Sequence, residues 1–125
     1  MKPPKKNPCK ACPFLKTSPR GYLGGHSVEE FMTRWRSEQV MECHKTVDYE
    51  SDVDYLEQIE EGEHVHACAG ASIMMTNDCR LPRNRDYPKL PGSAKVFRNP
   101  TEFTAHHDTP FHRAFIASER KRETP

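Results

Sequence analysis

The chain has no long apolar run. No window approaches transmembrane length, and a mean hydropathy of −0.90 with 34% apolar residues leaves little core-forming material in 125 residues. A membrane-spanning reading is excluded on that ground. The opening "MKPPKKNPCK" carries positive charge like a signal peptide's first region but is followed by no apolar stretch, so the expected location is the cytoplasm. Catalytic signatures are missing as well. There is no phosphate-cradling loop, no nucleophile paired with a base, and no carboxylate pair in a shaped context, so the reading leans away from an enzyme.

What the chain does have is cysteine, five of them, in "NPCKACPFL" (Cys9, Cys12), "MECHKTV" (Cys43) and "HVHACAGASIMMTNDC" (Cys68, Cys79). Cys9 and Cys12 stand at the separation where two thiolates can close on one metal. A zinc deaminase would add an H-x-E, and none occurs here. A thioredoxin-type pair would sit in a βαβ pattern, and Cys12-Pro13 in a proline-rich leader does not. An odd count in a reducing compartment argues against a full disulfide set. The expectation is therefore one metal site built from Cys9, Cys12, Cys43 and Cys68, with Cys79 as the spare. Isolated third and fourth cysteines and a proline directly after Cys12 favour a 4Fe-4S cluster, and zinc is the alternative. His44, His64 and His66 lie close enough in sequence to orient or replace a thiolate ligand, although each alone reads better as an ordinary histidine.

"PCKACPF" at Pro8 to Phe14, "CH" at Cys43 and His44, and "CAG" at Cys68 to Gly70 together resemble an uncharacterised family of small bacteriophage and actinobacterial cysteine proteins. That family's pattern runs P-C-x-x-C-P-F, then C-H, then C-x-G. The resemblance covers roughly residues 7 to 70. It implies that Cys9, Cys12, Cys43 and Cys68 are the matched set, that Cys79 lies outside it, and that a phage-encoded chain would act in the host cytoplasm. Leu15 departs from the pattern, where the family tends to have arginine, and no activity is implied.

Helical grammar is visible in five places. "HSVEEFMTRWRSEQV" places Ser27 three residues before Glu30, a capping box, with Val28, Phe31, Met32 and Trp35 on one face. A weaker helix is expected over about 52–61, and another near Cys68 ending around Asn77. Asn99-Pro100 and Thr109-Pro110 each open a short C-terminal helix, the second with Phe111, Ala114 and Phe115 on one face. His106, His107 and His112 on these helices read as surface residues. Residues 1–25 read as a loop ordered by the metal, residues 80–98 as a basic loop, and residues 119–125 as a frayed tail. No repeat or linker divides residues 1–125, so one domain is expected.

Charge is unevenly distributed. Residues 1–36 carry eight Lys/Arg against two acids, residues 37–66 one against ten, and residues 67–125 ten against six. The loop with Arg80, Arg83, Arg85, Lys89 and Lys95, and with Tyr87 and Phe97 interleaved, is the candidate nucleic-acid surface. The acidic segment 48–63 is the candidate surface for a protein partner. The sequence thus reads as a mainly α, loop-rich small domain organised around a four-cysteine metal site. Its expected role is that of an iron-sulfur protein with a structural or sensory function. The alternatives are a zinc-stabilised nucleic-acid- or protein-binding adaptor and an electron-transfer protein.

Overall fold

The computed structural model describes residues 2–9, 12–23, 25–43, 57 and 65–123, with side chains to residue 120. The helix expected over 52–61, His44, His64 and the acidic segment 48–63 lie outside the described residues, apart from Glu57, which is helical. Among the described residues four helices can be given bounds, in chain order α1 (Val28–Arg36), α2 (Ala69–Asn77), α3 (Pro100–His107) and α4 (Pro110–Glu123). Among the described residues strand pairing is limited to single bridges, Lys2 with His66, Leu15 with Val96, and Glu42 with Ala67.

The start of α1 is set by its cap. The Ser27 hydroxyl accepts the Glu30 N–H at 3.1 Å, acids occupy the first turn and Arg34 and Arg36 the last, as the helix dipole favours. Its buried stripe is Val28, Phe31, Met32 and Trp35, and the Trp35 indole donates to the Ala71 carbonyl of α2 at 3.0 Å. Residues 69 to 75 of α2 are all buried, so α2 is the central helix, apolar all round rather than two-faced. Gly70 permits close approach here, since a Cβ would come within 2.5 Å of the Cys12 sulfur and 2.7 Å of Phe14.

Helix α3 begins as its sequence predicts, the Asn99 side chain accepting the Glu102 N–H at 3.0 Å and Pro100 filling the position that needs no donor. In α4 Thr109 accepts from the His112 N–H at 3.1 Å. Its expected apolar face is corrected. Phe111 is 84% exposed, and His112 and Ile116 turn inward instead. Helix α4 continues through Glu123, into the segment 119–125 expected as a tail. Phe14, Phe31, Phe97 and Phe103 form the aromatic centre of the core, with Phe103 between 5.2 and 5.7 Å from the other three rings. Among the described residues no helix is long and apolar enough to cross a membrane.

Candidate functional site

The cysteines are distributed by three segments that meet beside α2. Cys9 accepts the Cys12 N–H on its carbonyl at 3.0 Å, closing the tight turn of "CKAC". Residues 41–43 run against 66–68, with Cys43 N–H on the His66 carbonyl and Cys68 N–H on the Met41 carbonyl, both at 2.7 Å. Cys68 thereby becomes the N-cap of α2. Cys12 and Cys68 are buried, Cys9 and Cys43 half-buried, and none of the five cysteines is in a disulfide. Cys79 sits just past the other end of α2, exposed and with φ of +56°. The His66 ring is engaged by the N-terminal segment. Its Nδ1–H donates to the Pro3 carbonyl at 2.9 Å and ties down the first residues of the chain.

This geometry overturns the expected metal centre. Among the described residues no group of three or more His, Cys, Asp or Glu side chains is placed to hold a metal ion. The spacing of Cys9 and Cys12 fixes only a local turn, and convergence of Cys43 and Cys68 upon it depends on how distant segments pack. Packing here seats the Cys12 sulfur against Gly70, on the helix turn that Cys68 caps, and buries both thiols in the apolar core, which is a pair rather than a ligand set. The 4Fe-4S cluster, the zinc alternative, the sensory iron-sulfur role, the zinc-stabilised adaptor and the electron carrier all fall with that centre. The Cys68 thiol is pushed well up from its ordinary range by the neighbouring Cys12 and by burial, against the Ala71 and Gly70 amides. The Tyr87 hydroxyl, buried near this pair, has no hydrogen-bond partner among the described residues, and burial, Cys68 and Glu38 raise its pKa.

The N-terminal loop is ordered by histidines instead of metal. His107, read from sequence as a surface residue, is fully buried. Its Nδ1 accepts the Gly21 N–H at 3.0 Å, so its Nε2–H donates to the Pro13 carbonyl at 2.7 Å. His106 donates to the Ser18 carbonyl at 2.6 Å, and the buried His112 donates to the His26 carbonyl at 2.9 Å. Burial lowers the His107 pKa to about 4, the Pro13 bond opposing and His106, His112 and Arg20 assisting. Helical spacing of Phe103 with His107 and of His112 with Ile116 was the available signal, masked by the polarity of the ring.

The basic loop 80–98 is irregular, as expected, and firmly tied. The Asn77 amide donates to the carbonyls of Ser93, Val96 and Phe97 at 2.9, 3.3 and 3.1 Å and accepts the Ser93 N–H at 2.9 Å. Thr76 donates to the Leu90 carbonyl at 2.6 Å, and the Glu38 carboxylate accepts the Asn84 N–H at 2.7 Å. Arg83, Arg85, Lys89 and Lys95 are exposed and pair with no acid among the described residues. Arg80 differs. It pairs with Asp78 at 2.9 Å and lies 5.0 Å from the Trp35 ring centroid, so it belongs to the scaffold. Tyr87 and Phe97 are each 3% exposed, which removes the expected interleaved stacking rings. Lys16 joins the same surface, its N–H on the Lys95 carbonyl at 3.0 Å, and with Arg98 it rims a shallow cavity of about 320 Å³. A larger groove of about 720 Å³ beside α1 and α4 offers no comparable set, because Arg113 and Arg120 there are engaged by Asp108 and Glu30.

No protein-family model matches the chain, and neither a curated protein nor a solved structure matches it.

Proposed function

We propose that the protein binds nucleic acid through the loop 80–98, gripping phosphates without reading bases. The observation that carries this is the presence of four exposed cations, Arg83, Arg85, Lys89 and Lys95, with no acidic partner among the described residues, on a loop pinned by Asn77 and Thr76. Arg98 extends that surface by one further charge, and Lys16 beside it is paired with Glu102 at 3.6 Å. Point charges held in place suit a regular row of phosphates, whereas single-strand binding usually adds stacking rings, and the two aromatic rings within this loop are in the core. Duplex is therefore the favoured form.

The test is binding of single- and double-stranded DNA and RNA by fluorescence anisotropy across a salt series. For duplex DNA each phosphate neutralised contributes about −0.9 to the slope of log K against log salt, so engagement of the four loop cations gives roughly −4. Arg83→Ala with Arg85→Ala should make the slope shallower by about 2, with folding unchanged. Absence of binding to every one of these probes at low salt would remove the reading.

A further inference from the structure

The contact of Cys12 with Cys68 joins two segments far apart in sequence. Gly70, on the first turn of α2, has no Cβ to hold the Cys12 sulfur away from the turn that Cys68 caps, and both thiols lie within one apolar cluster. Their sequence neighbours offer other pairings, Cys12 with Cys9 through the tight turn and Cys68 with Cys43 across the facing segments. The seat of the Cys12 sulfur against Gly70, on the turn capped by Cys68, favours the pairing of Cys12 with Cys68.

We infer that Cys12 and Cys68 form a dithiol site that a small-molecule disulfide, such as oxidised glutathione, converts to a protein disulfide. The Cys12 thiolate attacks one sulfur of the small disulfide, breaking its S–S bond and releasing one thiolate. Cys68 then gives up its proton and attacks the Cys12 sulfur of the mixed disulfide, releasing the second small thiolate. Both protein sulfurs are oxidised and both small-molecule sulfurs reduced, and the two protons pass to the released thiolates. Cys68 is the resolving member because its neighbour and its burial keep it protonated until the mixed disulfide forms. Burial of both sulfurs makes the first attack wait for local opening of the turn at Cys12, so the reaction is slow but specific. Tyr87 of the basic loop packs in the same cluster, but the inference does not rest on nucleic-acid binding.

The experiment uses the full, fully reduced chain incubated with oxidised glutathione in native buffer and in urea, then alkylated in acid. Intact mass counts the remaining thiols, and non-reducing peptide mapping locates the bridge. The native chain should lose two of its five thiols to a single Cys12–Cys68 bridge, a product that urea scrambles. Cys79→Ser should leave that bridge in place, while Cys68→Ser should abolish it. The wild-type peptide map decides the matter even where Cys68→Ser folds poorly. A predominant Cys9–Cys12 bridge, the same mixture with and without urea, or retention of all five thiols would overturn the inference.

Discussion

Residues 12–26 and residues 80–98 are both irregular, proline-interrupted segments laid over helices, yet they are tied down by different chemistry. The first is fastened by ring nitrogens of His106, His107 and His112, reaching Ser18, Pro13, Gly21 and His26. The second is fastened by the amide of Asn77 and the hydroxyl of Thr76, reaching Leu90, Ser93, Val96 and Phe97. An amide and a hydroxyl keep their donors and acceptors across the working range of pH. An imidazole does not, because protonation turns the Nδ1 acceptor of His107 into a second donor facing the Gly21 N–H. One loop is thus fastened by a titrating clamp and the other by an inert one.

The largest effect should come from His107. His107→Ala leaves the Gly21 N–H and the Pro13 carbonyl without their partner and opens a cavity beside Phe103, whose ring centroid is 4.7 Å from the imidazole. The expected cost is about 3–4 kcal/mol by urea denaturation. A loss below about 1 kcal/mol would mean that the loop is held from elsewhere. The wild-type clamp also carries its own pH dependence. A folded pKa of about 4 lies below the ordinary histidine value, so the unfolded chain binds the proton more readily. The stabilisation is complete above about pH 6.5 and is lost as pH falls towards 4, amounting to about 3 kcal/mol. His106, His112 and Arg20 face the same ring and oppose its protonation. In His107→Gln the stability curve should be flatter than wild type between pH 6.5 and 5, and parallel curves would refute the clamp.

Next in size is Asn77→Ala, which strips three carbonyls and one N–H of the basic loop of a common partner. These groups are partly wetted, so the cost should be about 2–3 kcal/mol, somewhat below that of His107. Its sharper signature is flatness, the same difference from wild type at pH 7 and at pH 5. Hydrogen exchange should quicken at Ser93 in this variant and at Gly21 in His107→Ala, each loop answering to its own fastener. Exchange rising in both loops for either variant would merge the two regions into one cooperative unit.

The fastenings were unequally legible in the sequence. Helix starts were plain, since Ser27 with Glu30, Asn99 with Pro100, and Thr109 with Pro110 are local chemistry decided within a few residues. The central helix was visible as a small apolar run ending at Asn77. The histidines were not, because a ring that is both apolar body and polar tip reads as surface until its two carbonyl or amide partners are known. His107 finds them 94 and 86 residues away in sequence, at Pro13 and Gly21. The cysteines failed for a related reason. Their spacing spoke only for Cys9 and Cys12, while the pairing of Cys12 with Cys68 depends on Gly70 and on segments 41–43 and 66–68, which carry no turn signature.

The smallest effect concerns the entrance to the basic loop. Cys79 leaves α2 in the left-handed region at φ +56°, where a side chain is disfavoured and glycine is not. Its N–H bonds to the Thr76 carbonyl at 3.0 Å and its side chain is exposed, so the backbone of this turn is useful while the side chain contributes little. Cys79→Gly should therefore relieve strain and stabilise by about 0.5–1 kcal/mol, less whatever entropy the glycine adds to the unfolded chain. Cys79→Ser, which keeps the strain, should stay within about 0.5 kcal/mol of wild type. Neither change should alter the pH curve, since the clamp at His107 lies on the other loop. Destabilisation of both variants by more than about 1 kcal/mol would show that the sulfur itself holds the entrance to the basic loop, and the division between a titrating and an inert fastening would need a third, thiol-dependent member.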